Sequence, residues 1–93
     1  MFTSSRANLY ESTDGFSVEV LGRTGLLYRE ANRQMFVDSE VLTGSAGMAV
    51  YRDTIQKWEP PDESIPVNES DQERILNNIR DAFRFQGFEI VVI

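Results

Sequence analysis

Ninety-three residues with 41% hydrophobic side chains suffice for one domain with one hydrophobic core and are too few for two. The chain has no cysteine and no histidine, which excludes disulfide frameworks, thiolate zinc sites, cysteine nucleophiles and every catalytic arrangement that depends on an imidazole. Its net charge of −6 opposes binding to a phosphate backbone, so nucleic acid is a poor partner and a basic protein a better one.

Residues 1–15 form a weakly patterned N-terminal segment in which "NLYES" fits a short edge strand before the "TDG" turn. This segment lacks the apolar stretch of a signal peptide, and no apolar run in the chain approaches the roughly 18 residues that span a membrane. A cytoplasmic protein without a membrane partner is therefore expected.

From Phe16 onward, Phe16, Val18 and Val20 alternate with Ser17, Glu19 and Leu21, the period of a strand with one buried face. Gly22 and Gly25 can take the positive φ of a tight connection to "LLYREA", and Asn32 suits a second reversal. In "RQMFVDSEVL", Met35, Val37 and Val41 then share one face, and Phe36, Asp38, Glu40 and Leu42 the other. "TGSAG" makes a third turn, and "MAVY" opens a fourth clear strand that is expected to run on through "RDTIQKW".

Ser70 and Glu73 have the spacing of a capping box, and Ile75, Leu76, Ile79, Ala82 and Phe83 form an apolar stripe, which together predict a helix stopped by Gly87. Arg80 and Arg84 fall in its last turns and offset the negative end of the helix dipole. The β-branched "FEIVVI" is expected to pair within the sheet, because left exposed it would invite aggregation. The expected fold class is α+β. It comprises an antiparallel meander of about five strands, one C-terminal α-helix packed on a face, and a final strand, all within a single domain, 1–93.

The charge is concentrated. Residues 59–73 carry Glu59, Asp62, Glu63, Glu69, Asp71 and Glu73 with no Lys or Arg, which accounts for the whole −6, while the rest of the chain balances nine acids against nine bases. As a linker this stretch need only be soluble. As a contact surface it would use Pro60, Pro61 and Pro66 to hold carboxylates in place at low ordering cost. Trp58, the single tryptophan, fits a lid on the core and, beside Glu59 and two prolines, also fits a binding anchor. The partner-binding candidates are Trp58, Glu59, Asp62 and Glu63, with Glu69 as an outlying charge.

Other constellations have plainer explanations. Asp38 and Glu40 project from one strand face, as a metal or acid-base pair could, but a solvated face explains them equally. "TGSAGMAV" lacks the Lys and the following helix of a phosphate-binding loop. Arg6, Arg23, Arg29, Arg33 and Arg52, accompanied by Tyr10, Tyr28 and Tyr51, alternate with acids and suit cross-strand ion pairs better than base stacking. No catalytic residue, metal site or cofactor is expected.

"VEVLGRTGLLYREANRQMFVDSEVL", "GMAVYRDTIQKWEPP" and "RILNNIRDAFRFQGFEIVVI" together resemble the immunity protein 74 family of bacterial polymorphic toxin systems, in order and with compatible spacing over about residues 16–93. The resemblance implies a cytoplasmic antidote that binds a cognate toxin domain and blocks it, with no chemistry of its own. An acidic chain of this kind suits a basic toxin such as a nuclease, whose active site must attract phosphate. A different class of function also fits the residues, a structural or regulatory module that forms a homodimer through an open sheet edge, using "EIVVI"; monomer and homodimer both stay open.

Overall fold

Val18, Leu26, Tyr28, Met35 and Val37 are wholly buried, and each stands at an alternate position of its strand, so the period-2 pattern determines which side of the sheet becomes the core. The cross-strand partners Val18 and Tyr28, Tyr28 and Met35, and Leu26 and Val37 place these side chains in adjoining rows. They come from a computed structural model that describes residues 2–22, 24–42 and 47–93, with the backbone alone at positions 5 and 6.

The strands are β1 (Phe2–Arg6), β2 (Leu9–Ser12), β3 (Phe16–Val20), β4 (Gly25–Glu30), β5 (Arg33–Val41), β6 (Met48–Val50) and β7 (Ile90–Val92), with one helix, α1 (Glu69–Phe85), between the last two. They form one curled sheet in sequence order, β1 to β7. Every neighbouring pair is antiparallel except β6 and β7, which run parallel because a helical crossover joins them. The fold is therefore α+β. Beyond the five strands expected, the "NLYES" strand forms as β2, and β1 pairs outside it through Phe2–Ser12 and Thr3–Glu11. "FEIVVI" supplies β7 within the sheet, in parallel to β6.

Asn32 has φ of 64° and Ala31 of 51°, the pair of left-handed residues that a two-residue hairpin between β4 and β5 requires. Gly22 takes a positive φ of 74°, whereas Gly25 does not and serves otherwise, since the Phe36 ring lies where its Cβ would be. The "TGSAG" turn spans residues 43–47, of which 43–46 lie outside the described residues; on either side of them Leu42 N–H donates to Gly47 O at 2.9 Å.

The fourth strand is shorter than its composition suggests. After Val50 the chain tightens into a 3-10 turn at Arg52–Thr54, where Thr54 Oγ1 donates to Tyr51 O at 2.7 Å and accepts from the Asp38 N–H at 2.9 Å. That turn drops Ile55 and Trp58 into the core, which an extended strand through "RDTIQKW" would not do.

Helix α1 buries Ile75, Leu76, Ile79, Ala82 and Phe83 against the sheet, the stripe expected from spacing. Its cap differs from the expected one. Asn68, two residues before Ser70, is the N-cap: its Oδ1 accepts from Asp71 N–H at 2.8 Å, and Asp71 Oδ2 accepts from Asn68 N–H at 3.1 Å. Asn outranks or equals Ser at this position, and its extended backbone (ψ 180°) makes it the half-in residue. Asn68→Ala should therefore lower stability by about 1 kcal/mol, with Ser70→Ala near neutral, as checked by urea titration. The helix ends as expected at Gly87 (φ 87°), where Phe88 N–H reaches Phe83 O at 2.9 Å and Gly87 N–H reaches Arg84 O at 3.0 Å.

Candidate functional site

The acidic stretch is fastened to the sheet at each step. Trp58 turns inward to 2% exposure, with its ring 6.3 Å from that of Tyr28 and the Arg33 guanidinium 4.8 Å above it. Glu59 turns outward and extends the ladder of β5: its N–H donates to Gln34 O at 2.8 Å and its Oε1 accepts from Gln34 Nε2 at 2.9 Å. Pro60 and Pro61, joined by a cis bond, form a turn closed by Asp62 N–H to Glu59 O at 3.0 Å, and a second turn follows from Ile65 N–H to Asp62 O at 3.0 Å. Ile65 and Val67 pack on the core, and Gln72 Nε2 donates to Ile55 O at 2.9 Å, so both ends of the loop are tied down. Two prolines and these tethers leave the carboxylates little conformational freedom.

With Glu59 held by Gln34, the other five acids of residues 59–73 divide into two groups. Asp71 pairs with Arg74 at 2.6 Å and Glu73 with Arg52 at 2.6 Å, which spends them within the fold. Asp62, Glu63 and Glu69 form no ion pair or side-chain hydrogen bond with the described residues, and Glu63 and Glu69 are exposed. Glu69 sits in the first turn of α1, where its charge favours the helix dipole. Between the loop and the turns at the ends of β2 to β5 lies an open groove of about 470 Å³, with Phe16, Asn32, Gln34, Pro60 and Asp62 among its walls. Glu59, Asp62 and Glu63 thus share one rigid loop, with Trp58 beneath them.

A polar cluster braces this end of the molecule. Glu30 accepts from Tyr28 O–H at 2.6 Å and from Arg74 Nε and Nη2 at 3.0 and 2.8 Å, and Asn78 Nδ2 donates to the Tyr28 oxygen at 2.8 Å. Burial pushes the Glu30 carboxyl up, but the hydrogen bonds from Arg74 and Tyr28 and the charges of Arg74 and Arg33 outweigh it and hold the group below its ordinary range. Burial and the hydrogen bond to Glu30 push the Tyr28 hydroxyl up.

The remaining sequence candidates resolve into packing and pairing. Arg29 Nη1 pairs with Glu19 at 3.0 Å, and Arg84 with Glu89 at 2.9 Å. Arg23 and the Arg6 side chain lie outside the described residues. Asp38 and Glu40 are exposed on the outer face of β5, and Tyr51 O–H donates to Glu40 at 2.9 Å, the hydrogen bond that chiefly raises the Tyr51 hydroxyl above its ordinary range. Among the described residues no group of three or more acidic side chains could hold a metal ion, and no helix is long and apolar enough to cross a membrane. Sequence reasoning missed Gln34 and Arg33 as the residues that clamp the loop, because their partners lie 25 positions away in the chain and no local pattern signals them.

Neither a curated protein nor a solved structure matches the chain. The family model described as Immunity protein 74 matches residues 17–93, which takes in all of β3 but Phe16, β4 to β7, the helix and the whole acidic loop. The chain belongs to the immunity protein 74 family.

Proposed function

We propose that this protein is a non-catalytic cytoplasmic antidote that binds and neutralises a cognate bacterial toxin domain, and that the loop carrying Glu59, Asp62 and Glu63 is part of the surface it uses. Family membership supports the antidote role. The observation that carries the site is the rigid loop with Asp62 and Glu63 left unpaired on it, while the acids beside it are consumed in internal ion pairs. Carboxylates held in place and unpaired meet a basic partner with little ordering cost. The partner is a basic toxin domain, such as a nuclease, whose own need to attract phosphate makes its active-site surface cationic. Trp58 contributes from below by fixing the loop, and Glu69 adds charge at the margin. A second reading, pairing of two copies through a sheet edge, draws on β7, where Val91 and Ile93 are exposed at the end of the strand order.

The test uses the cognate toxin domain, to be sought first as the C-terminal domain of a secreted protein encoded beside this chain. Asp62→Lys/Glu63→Lys should fold normally, since neither side chain is engaged, and should slow association with that domain by about tenfold or more at low ionic strength, less at high salt. Wild-type association and wild-type protection by a correctly folded double variant would dispose of the acidic-loop proposal.

A further inference from the structure

We propose that the outer face of β5 continues the acidic loop as one docking surface for the same toxin, with Phe36 as its central anchor and Asp38 and Glu40 receiving Lys or Arg side chains at its far end. The proposal rests on the toxin-binding reading above. Val37 pairs with Leu26 in the core, so Gln34, Phe36, Asp38 and Glu40 alternate onto the outer face. Gln34 holds Glu59 at one end of this row, and Glu40 stands about 20 Å away at the other. Phe36, between Gln34 and Asp38, is 45% exposed. Ala49 is the cross-strand partner of both Glu40 and Val91, which puts Val91 and Ile93, 48% and 60% exposed, on this same face two strands over. An aromatic side chain with carboxylates at both ends of its row, and exposed aliphatic side chains beside the far pair, has the apolar and charged parts of a protein interface.

Charge selects the occupant. Asp38 makes no side-chain hydrogen bond or ion pair with the described residues, and Glu40 spends one acceptor on Tyr51 O–H and keeps the others. A cation on this face, Arg29, is held by Glu19. Beside the two carboxylates lies a shallow hollow of about 320 Å³ walled by Thr24, Asp38 and Tyr51, room for one long cationic side chain. A second copy of this chain would bring the same carboxylates to the surface it has to bury, whereas a basic domain brings their complement.

The experiment measures association and dissociation rates against that cognate toxin domain for four versions of this chain: wild type, Phe36→Ala, Asp38→Lys/Glu40→Lys, and Asp81→Lys on the exposed side of α1. Phe36→Ala should dissociate about 30-fold faster or more, as loss of an aromatic anchor does, with association nearly unchanged. Asp38→Lys/Glu40→Lys should associate about tenfold more slowly at low salt, and Asp81→Lys should match wild type within about twofold. Should Phe36→Ala fail to fold by circular dichroism, the Asp38/Glu40 variant, altered at exposed positions only, decides alone. Wild-type rates for the face variants beside an impaired Asp62→Lys/Glu63→Lys protein would overturn the outer-face assignment and leave the toxin reading standing. An Asp81→Lys loss equal to that at Asp38 and Glu40 would also overturn it. No complex with the wild-type protein would remove the toxin reading and this proposal together.

Discussion

Trp58→Ala is expected to lower the stability of the folded protein by about 3–5 kcal/mol, the range for removing a large aromatic from a core. The ring is 2% exposed, packs beside Tyr28 and lies under the Arg33 guanidinium, so alanine leaves a cavity and strips Arg33 of the surface it stacks on. Small domains have only about 5–15 kcal/mol in total, so the loss should move the urea midpoint by a large fraction of its wild-type value while leaving the slope unchanged. Trp58→Phe, which retains most of the volume, should fall between the two. The acidic loop should loosen with the core, because Glu59 is held to Gln34 from a position directly next to the missing ring. A cost below about 1 kcal/mol would mean that Trp58 is not the core residue described.

The second large effect belongs to Glu30. Glu30→Ala removes the acceptor of the Tyr28 hydroxyl, on a residue that is wholly buried, and an unsatisfied buried donor costs about 1–3 kcal/mol. The ion pair with Arg74 adds less, because Arg74 is 42% exposed and solvent screens it. A total near 2–3 kcal/mol is expected in urea unfolding. The same group gives the protein an acid sensitivity of known sign. Its carboxyl is held below the ordinary value of 4.5, so its contribution is complete above that value and is lost as pH falls through the lower folded-state value. Asp71, lowered chiefly by its hydrogen bond from Arg74, and Glu89, lowered chiefly by Arg84, act in the same direction. Glu30→Gln should therefore lose less stability than wild type between about pH 5 and pH 3, and an unchanged slope would show that Glu30 contributes nothing to it. At the alkaline end Tyr28, raised by burial, contributes stability that is present below its ordinary value of 10.0 and lost as pH climbs beyond it.

Where alternation was strong, local pattern and final structure agree. Phe16 to Val41 supplies three strands whose buried positions are those the period of 2 marks, with Ser39 completing the inward row and Val41 emerging at 47% exposure where the strand runs out. The apolar stripe of α1 and its glycine stop were equally plain. Segments without a pattern of their own were not. β1 has the composition of a polar tail and becomes a strand because β2 offers it a free edge, while Phe2 gains ring contacts with Phe16 at 5.5 Å and Phe85 at 5.6 Å. The segment after β6 looks β-prone, yet the core takes Ile55 and Trp58 from it, and a tight turn reaches that arrangement where a straight strand does not. Asn68 and Ser70 are both competent caps, and the choice between them depends on where the chain leaves the loop, which is set by the packing of Ile65 and Val67.

Composition and patterning by themselves determined that this chain lacks the imidazole and thiol of the commonest catalytic and metal sites, that its excess negative charge lies in residues 59–73, and that a meander followed by one helix would enclose a single core. These properties are local or additive, so they survive without knowledge of the fold. The tertiary structure alone decided which acids are available. Asp71 and Glu73 find Arg74 and Arg52, Glu59 finds Gln34, and Asp62, Glu63 and Asp38 are left unpaired among the described residues, because pairing depends on distances in space that charge order along the chain does not encode.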